Sequence, residues 1–122
     1  MAEESRELVV VITNGIDHEL SSVGFTIANG GLTAGLKVAI FLTSAAVDIV
    51  RKKASDSTHV KPLEPLADLM RDFIARGGAL YACTPCVKSR GYEQVDFIEG
   101  VTIAGSSVIH ERLKRGAASL SF

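Results

Sequence analysis

The run Leu8–Thr13 reads LVVVIT, and it shows no alternation of polar and apolar side chains. A strand that is covered on one face alternates such side chains, so this run predicts a strand that is buried on both faces. Strands of this kind occur almost only in parallel sheets that have helices on both sides. The first apolar run therefore predicts an α/β protein.

The rest of the chain repeats the order of strand and helix. Further strands are predicted at residues 36–42, 79–83, 101–104 and 117–122, and helical patterns are predicted from Asp17 to Ala34, from Ser44, from Pro65 and from Ser106 to Arg115. Such alternation produces a parallel sheet with right-handed crossovers. We therefore expect one α/β domain over residues 1–122, in which a five-stranded, mainly parallel sheet lies between helices in three layers.

The first predicted helix has Asp17 as its expected N-cap, and its buried side is expected to carry Leu20, Val23, Ile27 and Ala28. Gly24 and Gly31 lie on the same side, which would allow a close approach to the sheet. The helix from Pro65 is clearer, because its apolar residues recur at the spacing of one helical face. That spacing makes it the most regular helical pattern in the chain.

Charge and apolar run lengths exclude two classes of partner. The 13 basic residues nearly balance the 14 acidic ones, so no nucleic acid partner is expected. No apolar run approaches the roughly 18 residues of a membrane span. The polar, acidic start MAEESRE is unlike a signal peptide. We therefore expect a cytoplasmic protein, in a reducing compartment where cysteines are more often catalytic or metal-binding than structural.

The segment LYACTPCVKSRGY, residues 80–92, holds the only two cysteines, Cys83 and Cys86. Cys83 ends the third predicted strand, and chemistry in parallel sheets gathers at that edge. Pro85 suits the first turn of a helix over residues 86–90, and Gly91 suits its end. The positive end of a helix lowers the pKa of a thiol. We therefore predict that Cys83 ionises easily and that Cys86 is more buried and reacts more slowly.

Residues outside the cysteine pair complete the candidate site. Lys88 and Arg90 add positive potential beside the sulfur atoms. Two other strand ends reach the same edge of the sheet, and they carry Asn14, Gly15, Thr43 and Ser44. These four residues either line a pocket or act as turn and cap residues, and the second role is the more common one.

A pair of cysteines at this spacing can also form a redox motif, bind zinc or lie in the core. A thioredoxin-type motif follows the first strand and faces a later proline, whereas this pair follows the third strand and no proline lies beyond Cys86. A structural zinc site needs four ligands, and none of the three histidines stands at a recognisable spacing from the pair. Burial as small core residues remains open, as does disulfide formation within the pair. No metal or cofactor is therefore expected.

Cys83, followed by Arg90 and Gly91, forms a C-x6-R-G segment that resembles the DsrE/DsrF-like sulfur-relay proteins, including TusD-type subunits. The segments VVVITNG, LKVAIFLTS and VTIAGSSVIHERL also follow that family's order. The resemblance implies a five-stranded α/β domain, assembly into trimers or hexamers, and sulfur acceptance at the cysteine that follows the third strand. Cys86 is an addition to the TusD-like pattern.

The resemblance thus implies that Cys83 accepts sulfane sulfur as a persulfide and passes it between donor and acceptor proteins. Cys86 would then discharge that persulfide or protect it from over-oxidation. Two alternatives remain: a non-catalytic oligomer that binds a small ligand at the strand ends, and a redox protein that uses both thiols.

Overall fold

The structure is a computed structural model that describes residues 6–122. The interpretation of the acidic N-terminus falls almost entirely on residues 1–5, which lie outside the described part. Five strands form one sheet: β1 Glu7–Ile12, β2 Lys37–Leu42, β3 Ala79–Cys83, β4 Val101–Ala104 and β5 Ala118–Ser121. Their spatial order is β4-β3-β2-β1-β5, and every neighbouring pair is parallel. The predicted α/β class is confirmed.

Helices connect the strands as the alternation predicted. They are α1 Glu19–Thr33, α2 Leu66–Ala75, α3 Thr84–Ser89 and α4 Ser107–Lys114, with 3₁₀ helices at Ser44–Val50 and Gln94–Asp96. The short helical stretch that begins at Ser44 was predicted, and it adopts the tighter 3₁₀ winding. The 3₁₀ helix Gln94–Asp96 was not predicted.

Helices cover both faces of the sheet. On one face α1 packs against β1, β2 and α2. Gly31 of α1 permits this close approach, because a Cβ atom there would lie 3.0 Å from Val38 and 3.1 Å from Leu8. On the opposite face α4 packs against β1, and its Arg112 donates a hydrogen bond of 3.2 Å to the hydroxyl of Tyr81. The domain therefore has the three layers that were expected.

The predicted start of α1 was wrong, and its predicted buried face was partly wrong. His18 is the N-cap instead of Asp17, and its Nδ1 accepts a hydrogen bond of 3.1 Å from the amide of Leu20. Gly24, Ala28 and Gly31 are buried as predicted, whereas Leu20 and Ile27 remain 38% and 37% exposed. The buried residues are mostly small because the helix lies so close to the sheet: Ser21, Ser22, Gly24, Phe25, Ala28, Asn29 and Gly31.

Candidate functional site

The two cysteines lie at the carboxyl edge of the sheet, where β3 turns into α3. Cys83 is both the last residue of β3 and the N-cap of α3, and Cys86 follows in the first turn of that helix. Pro85 occupies the first turn, as predicted, although the helix begins at Thr84, two residues before the predicted start. Gly91 adopts φ of 72° just beyond the helix. Its predicted role in ending the helix is therefore confirmed.

Two groups from the neighbouring strand end contact the sulfur of Cys86. The amide nitrogen of Ser44 lies 3.2 Å from Cys86 Sγ, and Thr43 Oγ1 lies 3.4 Å from the same atom. Thr43 and Ser44 directly follow β2, which pairs with β3 in the sheet. Ser44 has φ of 55°, a conformation that costs energy in a residue other than glycine. The loop after β2 therefore holds a strained turn that directs an N–H group at this sulfur.

The two cysteines differ in exposure, but Cys86 is the more exposed one, whereas it was predicted to be the more buried one. Cys83 is 9% exposed and belongs to the hydrophobic core, whereas Cys86 is half-buried. The predicted order of burial was therefore wrong. The physical reason is that Cys83 still belongs to the strand and is enclosed with its core neighbours. Cys86 lies one turn further along, beside the exposed Ser44.

The surroundings of Cys86 favour its thiolate form. The pKa of this thiol is lowered chiefly by the hydrogen bond with the Thr43 hydroxyl, and also by the Ser44 amide, the Cys83 thiol and the charge of Arg90. Partial burial of the sulfur acts in the opposite direction. The contact that lowers this pKa most therefore comes from the loop after β2, whereas the sequence predicted that the N-terminus of α3 would lower it.

The two predicted cations have different positions. Arg90 is exposed, and its Nη1 donates a hydrogen bond of 3.3 Å to the carbonyl oxygen of Cys86, which keeps its charge near the sulfur. Lys88 is also exposed, and within residues 6–122 its side chain makes no hydrogen bond or ion pair. The structure thus brings Arg90 into contact with the cysteine segment and leaves Lys88 in solvent.

Asn14 and Gly15 form the turn between β1 and α1. The hydroxyl oxygen of Ser21 lies 2.7 Å from each of their carbonyl oxygens, which share its single proton. A Cβ atom at Gly15 would lie 3.4 Å from the Cβ atom of Ala45, which follows Ser44. The backbone of both residues therefore serves the turn, and this turn supports the loop that contacts Cys86.

Tyr92 was not predicted to belong to the site, but it links α3 to the 3₁₀ helix Ser44–Val50, in the segment that contacts Cys86. The amides of Gly91 and Tyr92 donate to the carbonyl oxygens of Lys88 and Val87 at 3.0 and 3.1 Å, the pattern of a Schellman motif. The Tyr92 hydroxyl donates a hydrogen bond of 2.6 Å to Asp48 in the 3₁₀ helix Ser44–Val50, and this bond raises the pKa of the tyrosine. An apolar ring directly after a C′ glycine is the signal that would have identified it.

A separate cavity of about 270 Å³ lies away from the sulfur site. Its lining includes Ala75 at the end of α2 and the pair Ile98 and Glu99, which precede β4. These three residues come before β3 or β4 in the chain, whereas the cysteines come at the end of β3 and in α3. None of the predicted site residues lines this cavity.

Residues 6–122 hold neither a cluster of metal ligands nor a membrane-spanning helix. Within that range, no group of three or more His, Cys, Asp and Glu side chains is arranged to hold a metal ion. No helix in the same range combines the length and the apolar character that crossing a membrane requires.

Comparison with known proteins gives consistent matches. The family model for the DsrE/DsrF-like family matches residues 6–122. The uncharacterized protein MJ0989 of Methanocaldococcus jannaschii is 31% identical over 101 residues, which are 80% of this chain and 83% of that protein. Protein MJ0760 of the same organism is 30% identical over 101 residues, or 82% of this chain, but this match spans only 37% of that relative.

Two solved structures share the fold. The YchN protein from E. coli superposes with a TM-score of 0.80 at 18% identity, covering 96% of this chain and 99% of that one. Protein MTH1491 from Methanobacterium thermoautotrophicum has a TM-score of 0.73 at 17% identity, covering 98% of this chain and 100% of that one. At these identities the likeness concerns the fold alone.

Proposed function

Because this chain belongs to the DsrE/DsrF-like family, we propose that it takes up sulfane sulfur as a persulfide on the pair Cys83 and Cys86 and passes it to an acceptor thiol. The observation that carries the proposal is the contact of Cys86 Sγ with the Ser44 amide at 3.2 Å and with Thr43 Oγ1 at 3.4 Å. Hydrogen-bond donors around a sulfur atom stabilise its anion, and the thiolate is the form that attacks sulfur.

The chemistry needs only thiol exchange. A cysteine thiolate of the pair attacks the outer sulfur of a donor persulfide, the donor's S–S bond breaks, and the donor leaves as a thiolate. An acceptor thiolate then attacks the same outer sulfur and regenerates the cysteine thiolate. Donor and acceptor proteins are accordingly the proposed partners, and the cytoplasm is the proposed location, since its reducing conditions keep such thiols free.

Polysulfide treatment is expected to increase the mass of the protein by one sulfur atom or more, because an available thiolate attacks sulfane sulfur. Intact-mass measurement after blocking with iodoacetamide detects this increase. The matched control is the double variant Cys83→Ser and Cys86→Ser, which retains every other residue and has no thiol. An unchanged wild-type mass, or an equal increase in the double variant, contradicts the proposal.

A dithiol redox function is the second candidate, and the position of both free thiols at the turn from β3 into α3 favours it. In that case each single Cys→Ser substitution removes the activity, because a disulfide needs both sulfur atoms. A sulfur carrier retains its loading when the non-accepting cysteine is replaced. The single variants therefore separate the two functions. The binding of a small ligand at the strand ends stays a prediction, which none of these contacts tests.

We also propose that the protein is a homo-oligomer, a trimer or a hexamer built from trimers. Edge strand β5 and helix α4 expose apolar side chains, with Leu120 and Leu113 at 44% and 37% exposure. Light scattering at micromolar concentration is expected to give a mass of three or six times 12.9 kDa. Leu120→Lys is expected to reduce this mass, whereas Val95→Lys, which changes an exposed apolar residue outside β5 and α4, serves as a control. A wild-type mass of 12.9 kDa contradicts the proposal.

A further inference from the structure

The loop after β2 forms a binding site for one sulfur atom of the pair. Ser44 donates its amide to Cys86 Sγ across 3.2 Å, and the Thr43 hydroxyl lies 3.4 Å from the same atom. The 55° φ angle of Ser44 is an energetically costly conformation for serine. A strained turn persists only where the surrounding structure enforces it, and here Ala45 packs beside Gly15 while Tyr92 is bonded to Asp48. The arrangement therefore exists before any substrate arrives.

Cys86 is also the more solvent-exposed of the two cysteines. Cys83 is 9% exposed and lies in the core, whereas Cys86 is half-buried beside exposed residues. The donor persulfide belongs to another molecule, so it needs space around the attacking sulfur. The attacking sulfur must also lie in line with the S–S bond that breaks. Among the two cysteines, Cys86 leaves more room for that approach.

Charge and hydrogen bonding act in the same direction. The Thr43 hydroxyl, the Ser44 amide, the Cys83 thiol and the Arg90 charge each lower the pKa of Cys86. These contacts favour a negative charge on the sulfur of Cys86.

We infer that the sulfur of Cys86 attacks the donor persulfide and that Thr43 and Ser44 position this sulfur. Cys86 thus takes the role that the family pattern gives to Cys83. This inference rests on the proposed sulfur-carrier function. The Cys86 thiolate attacks the outer sulfur of R–S–SH, giving Cys86–S–SH, while the electron pair of the broken S–S bond leaves with the donor as R–S⁻. The inferred roles of the two cysteines are thus the reverse of those that the resemblance implies.

Cys83 has a defined role in the absence of an acceptor. After losing its proton to solvent, it attacks the inner sulfur of the Cys86 persulfide, which forms the Cys83–Cys86 disulfide and releases HS⁻. A dithiol reductant then supplies the two electrons that restore both thiols. Replacing Cys83 therefore prolongs the lifetime of the persulfide on Cys86.

Mapping the sulfur atom on the wild-type protein tests the inference without a variant. Trypsin cleavage after Arg76 and Lys88 leaves both cysteines on one peptide, residues 77–88. Fragmentation of that peptide between Thr84 and Pro85 separates Cys83 from Cys86. After brief treatment with polysulfide and then iodoacetamide, we expect the additional sulfur on the Cys86 fragment.

The single variants provide the second measurement, after circular dichroism has shown that each is folded. Cys83→Ser is expected to load sulfur and to hold it longer than the wild type, whereas Cys86→Ser is expected to load none. Sulfur on the Cys83 fragment, together with normal loading of Cys86→Ser, overturns the inference and leaves the proposed function intact. A wild-type protein that takes up no sulfur at all overturns the proposed function and the inference with it.

Discussion

The Gly78→Ala variant is expected to lose about 3 kcal/mol of its free energy of unfolding. A Cβ atom at residue 78 would lie 2.3–2.5 Å from ring atoms of Phe73. That ring is fully buried and packs edge-to-face against Phe25, with 6.2 Å between the ring centroids. It has no free space to move into, so either the ring leaves its rotamer or β3, which begins at Ala79, shifts away from α2. Urea unfolding monitored by circular dichroism measures the loss.

Gly30→Ala is the matched control. Gly30 lies inside α1, and a Cβ atom there meets nothing within 4 Å. Alanine is the better helix former, so this variant is expected to gain about 0.5–1 kcal/mol. If Gly78→Ala were as stable as the wild type, β3 would not be held against Phe73 as described. The position of Cys83 at the end of that strand would then need another explanation.

The strands were predictable from the sequence because a buried parallel strand has a simple signature. β3 and β4 begin and end at the predicted residues, since each is a short apolar run bounded by glycine or by a turn. The buried face of α1 was only partly predictable. Gly24 and Gly31 were expected there and are buried, because the sheet lies against the helix backbone. Leu20 and Ile27 were also expected there and are exposed. Hydrophobic periodicity identifies side chains that are large enough to fill space, and it does not identify a face that requires small ones.

The site was predictable to the level of the sheet edge. Thr43 and Ser44 follow β2 and Cys83 ends the adjacent strand β3, so their proximity is a consequence of parallel topology. Which sulfur the loop would contact was not predictable, because that depends on the left-handed turn at Ser44. No sequence rule assigns φ of 55° to a serine in advance. The burial order of Cys83 and Cys86 was predicted wrongly because Cys83 still belongs to β3 and is enclosed with its core neighbours.

The pH dependence of alkylation is expected to distinguish Cys86 from an ordinary thiol. In the Cys83→Ser background, the rate with iodoacetamide should rise to its plateau with a midpoint below the value of about 8.5 for an unperturbed cysteine. The pKa of Cys86 is lowered, so its thiolate is already formed at a pH where a free thiol remains protonated. A midpoint at or above the unperturbed value contradicts this prediction.

Adding Thr43→Val to this background is expected to change the rate in opposite directions at low and high pH. A hydrogen bond to a charged group is worth about 1.5 kcal/mol, so its loss lowers the thiolate population at pH 7 by roughly tenfold. A less acidic thiol gives a more nucleophilic thiolate, with a Brønsted slope of about 0.4–0.5, which offsets roughly threefold of that loss. Alkylation should therefore be about threefold slower at pH 7 and about threefold faster near pH 10, where the thiol of either protein is ionised.

Thr13→Val in the same background is the control for this experiment. Thr13 directly follows β1, as Thr43 follows β2, and its hydroxyl donates a hydrogen bond of 3.1 Å to the carbonyl oxygen of Phe122 instead of contacting a sulfur atom. It is expected to leave the alkylation profile of Cys86 unchanged. A purely structural effect of Thr43→Val would open the site and raise the rate at every pH, or distort it and lower the rate at every pH. Only the loss of a thiolate-stabilising contact makes the two profiles cross, so parallel profiles would remove Thr43 from the proposed sulfur site.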